Sequence, residues 1–259
     1  EKPTRGQPKR SVAPPELRRA VQAMMDGTWE GKTTRDREYE AVRRFEVVNV
    51  LHNQSGQLWA NYSRAREDIR ARGNITARVH AATSSIPGRE AGGDGEEDGG
   101  AGDGARGATE GLPACLGQLD GAVNECLLFH GTRPSAAGSI CADDFRVDLA
   151  GSHRGTLYGP GLYFAENSSK SDEYASDDKE GPYEGLYAML LCRVACGNLM
   201  YVDDVSPDTH KITQNCVGRD PKFDGVLGDR RKARGTYREF VVFNPDQVYP
   251  EFIIIYRRE

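Results

Sequence analysis

Apolar residues in PELRRAVQAMMDGTW fall at Leu17, Val21, Met24 and Met25. That three- and four-residue spacing predicts one buried face of an α-helix, with Gly27 just after it as a stop. RRFEVVNVL alternates well enough to predict a strand. In SGQLWANYSRAREDIRAR, Ser55 is a candidate cap, Leu58, Tyr62 and Ile69 can share one helical face, and Gly73 follows as a stop. Further on, CLLFH predicts a strand, PSAAGSICA a short helix, LYGPGLYFA a turn and strand, and SSKSDEYAS the start of a helix. GLYAMLLCRVACGNL predicts a strand ending at Gly197, while YREFVVFN and EFIIIYRR predict two strands joined by PDQVYP. Many short strands with few helices between them indicate an α+β domain rather than a doubly wound parallel sheet. No internal repeat is visible.

Two stretches break this pattern. Residues 1–14, EKPTRGQPKRSVAP, are basic and contain proline, and predict a flexible lead-in to a single domain over 15–259. GREAGGDGEEDGGAGDGARG, about 88–107, is almost wholly Gly, Ala and acid. It has too little apolar area to offset the entropy of ordering, and predicts a disordered insertion.

The 259 residues carry a formal charge of −5, which argues against a broad nucleic-acid surface. The longest apolar runs, EFIIIY and EFVVF, fall far short of the ~20 residues that span a bilayer. The six cysteines show neither paired CxxC nor Cys/His finger spacing, so they read as core thiols of a reducing compartment, cytosol or nucleus, and imply no metal. A start at Glu1 rather than Met reads as a fragment or processed form.

There is no GxGxxG, no Walker loop, no HExxH and no GxSxG. Three polar residues at strand ends stand out instead: His130 closing LLFH, Tyr163 after the glycine turn GPG, and Glu239 opening EFVVF. Alone, such a histidine is usually structural, such a tyrosine core and such a glutamate a solvated edge. As one site the trio carries more weight.

These residues resemble the poly(ADP-ribose) polymerase catalytic domain, of the diphtheria-toxin-like ADP-ribosyltransferases. The family's His-Tyr-Glu signature maps onto His130, Tyr163 and Glu239. Its HGT, YG.G.YFA and SKS..Y segments match HGTR and YGPGLYFAENSSKSDEY, and its closing EFVVYNPDQ..PEY matches EFVVFNPDQVYPEF. RRFEVVNVLHNQSGQLWANYSRARE is similar to the corresponding segment of tankyrase-like and macrodomain-associated branches. The likeness covers roughly 30–73 and 124–257. It implies two packed, mostly antiparallel sheets with flanking helices, and NAD as co-substrate.

The resemblance also implies roles. Gly159 and Gly161 permit a tight turn and close backbone approach. Tyr163 and Tyr174 sandwich the nicotinamide, each contact worth ~0.5–1.5 kcal/mol beyond burial. The Ser171 hydroxyl and the Gly131 backbone bond the carboxamide, and His130 bonds the adenosine ribose, with Thr132 and Arg146 as nearby ribose or phosphate contacts. Glu239 bonds the ribose 2′-hydroxyl and stabilises the cationic ribose formed as nicotinamide leaves, then polarises the acceptor. Lys170 is a candidate to approach the acceptor or phosphate. For Tyr174 the plain alternative is a core helix residue, for Ser171 a helix cap, and for Lys170 an exposed helix side chain. Asp144 departs from the glycine that family members often carry before the residue matching Phe145. The loop RVDLAGSHRG, with His153, is particular to this chain, and residues 206–236 form the loop that controls the acceptor. The expected activity is transfer of ADP-ribose, in single units or polymer, to protein acceptors that include the chain itself. The alternatives are a catalytically weak module that binds NAD or ADP-ribose, and a structural interaction domain docking through its acidic insertion.

Overall fold

The first helix, α1 (Pro15–Gly27), begins where Pro14 and Pro15 supply a helix-compatible φ and remove a donor that would lack a partner. It buries Leu17, Ala20, Val21, Met24 and Met25, the face its spacing predicts. Gly27 is its last residue; the stop is Thr28, whose N–H and hydroxyl both return to the Met24 carbonyl. The computed structural model describes residues 9–32, 34–37, 42–84, 114–146 and 156–259. The acidic stretch 88–107 and His153 lie outside the described residues. In α2 (Gly56–Arg72), Ser55 Oγ accepts from the Leu58 N–H and Gly73 closes the helix at φ 58°, where glycine carries no Cβ penalty.

The strands are β1 (Arg10–Val12), β2 (Phe45–Asn53), β3 (Glu125–Thr132), β4 (Leu162–Ala165), β5 (Tyr187–Ala195), β6 (Leu199–Val202), β7 (Gly225–Asp229), β8 (Arg238–Val242) and β9 (Val248–Arg258). They interleave with α3 (Pro134–Asp143), α4 (Ser168–Asp172), α5 (Thr209–Cys216) and α6 (Arg230–Arg234). Among the described residues the strand order is β1-β2-β9-β5-β3-β4-β8-β7-β6, and only β6 and β7 pair in parallel. The fold is therefore α+β, but the expected two packed sheets are replaced by one nine-stranded sheet. The reason lies in the middle of the order. Among the described residues β3 and β4 pair at one position, Phe129↔Ala165, and that pair keeps the ladder continuous. The lead-in also differs from expectation: Arg10–Val12 pairs with Leu51–Asn53 as an edge strand.

β5 lies inside the sheet between β3 and β9. Eight of its nine residues are buried, seven of them apolar and the eighth Arg193, whose guanidinium is paired with Glu251. On one face, Leu127, Phe129, Met189, Ile254 and Tyr256 pack with the apolar stripe of α1. On the other, Leu128, Phe164, Leu190 and Phe240 pack with Ala137 and Cys141 of α3 and with Phe145. α2 adds Leu58, Tyr62 and Ile69 against Tyr249, and α5 sets Ile212 and Cys216 against Tyr158, Val226 and Val241. All six cysteines are free, and all but Cys115 are buried, as core thiols would be.

Candidate active site

The three sequence-selected residues come from three neighbouring strands. β3 carries His130, β4 carries Tyr163 and β8 carries Glu239. Glu239 is registered opposite Ala165 and Val241 opposite Tyr163, so with a two-residue period Tyr163 and Glu239 share a face. His130 joins them through its Nδ1, which lies 2.9 Å from the Tyr163 carbonyl. A carbonyl only accepts, so Nδ1 carries the proton and Nε2 is left as an acceptor. Burial lowers the His130 pKa, only partly opposed by that bond, and keeps the ring neutral at pH 7. Phe145 packs edge-on against the His130 ring at 5.3 Å, and Phe164 lies 5.6 Å from it.

The glycine turn before β4 fixes Tyr163. Gly159 sits at φ 97°, and a Cβ on Gly161 would come within 2.7 Å of Val241 Cγ1. The Tyr163 hydroxyl donates to the Gly159 carbonyl at 2.7 Å and accepts from the Tyr158 N–H at 2.9 Å. The ring is thus held at its strand end and at its hydroxyl.

The short helix α4 is polar throughout, SSKSD, yet all five residues are buried. Buried polar groups need partners, and most of these have them. Ser168 donates to the Met25 carbonyl, Ser169 Oγ accepts from the Glu30 N–H, and Asp172 accepts from Tyr256 and Arg258. These bonds tie α4 to the segment after α1, which runs over it; Arg37 also donates to the Ser169 carbonyl at 2.8 Å. The exception is Ser171, whose hydroxyl has no hydrogen-bond partner among the described residues although the residue is 2% exposed. Ser171 is not the cap of α4: the capping position is Asn167. α4 closes directly on β3, since a Cβ on Gly131 would sit 1.7 Å from the Ser171 carbonyl oxygen. Only glycine fits there, because the Gly131 backbone runs directly against that of Ser171.

Lys170 is buried rather than exposed on its helix, which corrects the plain sequence reading. Its ammonium lies 2.9 Å from Glu173, 3.0 Å from the Tyr174 hydroxyl, 3.2 Å from Asp36 and 3.5 Å from Glu239 Oε1. Burial pulls the Lys170 pKa down, but Glu239, Tyr174 and Glu173 outweigh it and hold the group protonated, well above its usual range. Burial pushes the Glu239 carboxyl above its ordinary value; Lys170 opposes this and Asp36 adds to it. Tyr174 is not a core residue. It follows α4, is 41% exposed, and its ring carries the Lys170 ammonium 4.9 Å from its centroid. Beside Glu239 a cleft of about 280 Å³ opens, lined among others by Asp36, Lys170, Arg230, Arg234 and Tyr237.

Thr132 ends β3 opposite Ala188, half-buried. Arg146 is exposed, and residues 147–155 that follow it lie outside the described residues. Asp144, where a glycine was expected, adopts φ 77° and ψ 173°, a conformation that glycine alone takes freely. Its carboxylate accepts from the Phe145 N–H at 2.7 Å.

Sequence reasoning missed Asp36 and Arg37. They sit in TTRDREYE, a charged run with no periodicity, and only the tertiary path of that segment brings them to α4.

The family model described as the poly(ADP-ribose) polymerase catalytic domain matches residues 33–258. The human protein mono-ADP-ribosyltransferase PARP12 is 31% identical over 139 residues, covering 52% of this chain and 17% of that protein. A probable poly [ADP-ribose] polymerase of Dictyostelium discoideum is 33% identical over 135 residues, 52% of this chain and 34% of its own length. The Caenorhabditis elegans poly [ADP-ribose] polymerase tankyrase is 27% identical over 164 residues, 52% of this chain and 7% of its length. The matches thus span well under half of these relatives. The chain belongs to the poly(ADP-ribose) polymerase catalytic domain family, and its α+β fold is that of an NAD-dependent ADP-ribosyltransferase.

Proposed function

We propose that this domain cleaves the nicotinamide–ribose bond of NAD and passes ADP-ribose, singly or as polymer, to protein acceptors, the chain itself among them. The observation that carries the reading is the junction of α4 and β3. There Gly131, which admits no side chain, closes on the backbone of Ser171, a residue whose hydroxyl has no hydrogen-bond partner among the described residues. This is a cradle for a flat amide: the Gly131 backbone and the Ser171 hydroxyl supply the donors and acceptor that a carboxamide needs. Tyr163 and the exposed Tyr174 ring offer aromatic faces beside it. His130 Nε2, left free by the bond at Nδ1, accepts a ribose hydroxyl.

Glu239 carries the chemistry. An ionised carboxylate at the end of β8 stabilises positive charge that grows on the ribose as nicotinamide departs, and more strongly there than in the ground state. Lys170 keeps that carboxylate ionised and fixes one of its oxygens. The same carboxylate can then take the proton of an acceptor entering from the cleft. Thr132 and Arg146 are placed as outer contacts to ribose or phosphate.

The test is nicotinamide release from NAD by the purified chain. Glu239→Gln keeps shape and removes charge. It is expected to lower kcat at least tens-fold, the scale of a lost charge-assisted bond, while NAD binding stays close to wild type. Wild-type protein that binds NAD without releasing nicotinamide would make the domain a recognition module instead. Intact mass of the modified product separates single transfer from polymer.

A further inference from the structure

We propose that Asp36 is a positioning residue for the transfer reaction, holding the Tyr174 hydroxyl and the Lys170 ammonium together beside Glu239. The inference deepens the proposed function and rests on its reading of Tyr174 and Glu239.

The geometry is a triangle. Asp36 Oδ2 accepts from the Tyr174 hydroxyl at 3.0 Å and from Lys170 Nζ at 3.2 Å, and Lys170 Nζ and the Tyr174 hydroxyl are themselves 3.0 Å apart. Tyr174 is otherwise an exposed ring beyond the end of a five-residue helix. Its hydroxyl, held between the Asp36 carboxylate and the Lys170 ammonium, is what anchors it. Lys170 in turn divides its charge among Glu173 at 2.9 Å, Asp36 at 3.2 Å and Glu239 Oε1 at 3.5 Å. Asp36 therefore competes for the cation that Glu239 receives, although Asp36 belongs to a different part of the chain.

Its segment is anchored well enough to hold such a role. Glu30 receives the Tyr237 hydroxyl on its carbonyl at 2.6 Å, Lys32 donates to the Thr236 carbonyl at 2.8 Å, and Arg37 donates to Ser169. The strap thus grips α4 and the residues leading into β8 together, and carries Asp36 between them. The groups acting on Glu239 are Lys170 beside it on α4, Asp36 on the strap and Arg230 on α6, with the phenols of Tyr158, Tyr163 and Tyr174 also close enough to couple to it. Asp36 itself is faced by Lys170, Tyr174 and its neighbour Arg35.

Asp36 raises the pKa of Glu239 by like charge. Removing the Asp36 charge lowers it, so the ionised, active form of Glu239 persists to lower pH. The acid limb of kcat/KM then moves to lower pH, a change that a merely structural role would not produce.

The experiment measures nicotinamide release against NAD concentration from pH 5 to pH 9 for wild type, Asp36→Asn, Asp36→Ala, Tyr174→Phe and the Asp36→Ala/Tyr174→Phe double variant, with Tm as the folding control. Asp36→Asn keeps an oxygen for the Tyr174 hydroxyl, and is expected to shift the acid limb down while KM stays near wild type. Asp36→Ala is expected to shift the limb and raise KM for NAD about five- to tenfold, the scale of one ordinary hydrogen bond's loosened hold on the ring. Tyr174→Phe should raise KM similarly, and the double variant should add little, because both changes break one contact. Asp36 variants with wild-type Tm, an unmoved acid limb and KM within about twofold of wild type would overturn the inference and leave the proposed function standing. A wild-type chain that neither binds NAD nor releases nicotinamide would overturn both.

Discussion

Single side chains here are readable through what they lack. Ser171 stands among buried serines that all have partners, and it has none among the described residues. Ser171→Ala should therefore leave Tm unchanged while raising KM for NAD by a few-fold to about tenfold, one hydrogen bond's worth; steady-state kinetics beside a melting curve check both halves. Asp144 is the opposite case, a residue that carries strain. Its φ of 77° with ψ of 173° costs of order 1–3 kcal/mol for any residue with a Cβ. Part of that is repaid by the bond to the Phe145 N–H. Asp144→Gly is expected to stabilise the fold by about 1 kcal/mol, a rise of roughly 2–4 °C in Tm for a domain of this size. Calorimetry would show it. Phe145 packs on His130, so the same variant reports whether this strain also sets the histidine.

At the scale of elements, hydropathy and burial part company in α4. SSKSD reads as a solvated helix start, and so Lys170 reads as exposed. The structure buries all five residues because a second segment, 28–37, supplies hydrogen-bond partners that no local pattern reveals. A buried ammonium shared by three carboxylates is a strict requirement: Glu173, Asp36 and Glu239 would be left facing one another without it. Lys170→Ala is expected to cost about 3 kcal/mol of stability, the scale of a broken buried ion pair, read as a lower denaturant midpoint at unchanged slope. The elements that sequence reading found are those with strong period or caps: α1, α2 with Ser55 and Gly73, and the apolar strands β3, β5, β8 and β9. The missed ones lie mostly within 199–234. β6 is four residues long, β7 is interrupted by glycines, and α6, RRKAR, has one small apolar residue and no buried face. For such pieces tertiary pairing rather than periodicity decides the conformation. The site trio was legible because its three residues lie in strong strands or beside a marked glycine turn. Asp36 was not, because nothing in a charged loop forecasts where it will be carried.

At the scale of the whole molecule, the sheet is continuous where two were expected, and its continuity is thinnest at the site. β1, β2, β9, β5 and β3 lie to one side of the Phe129↔Ala165 pair, and β4, β8, β7 and β6 to the other. His130 and Gly131 belong to the first group, Tyr163 and Glu239 to the second. Neighbouring pairs such as β3–β5 are laddered over eight positions, so exchange protection should be unequal. Amide hydrogen exchange is expected to be fastest, among the inner strands, for β4, and to slow on addition of NAD by mass action. Uniform protection across β3, β4 and β5 in the free protein would contradict this.

On the proposed reading, that narrow junction would make the dinucleotide a rivet. A molecule held on one flank by His130 and Gly131, and on the other by Tyr163 and Glu239, would join two plates that the backbone itself stitches with one residue pair. Loss of nicotinamide would then release part of the fastening as an acceptor comes in, and turnover would coincide with loosening of the seam.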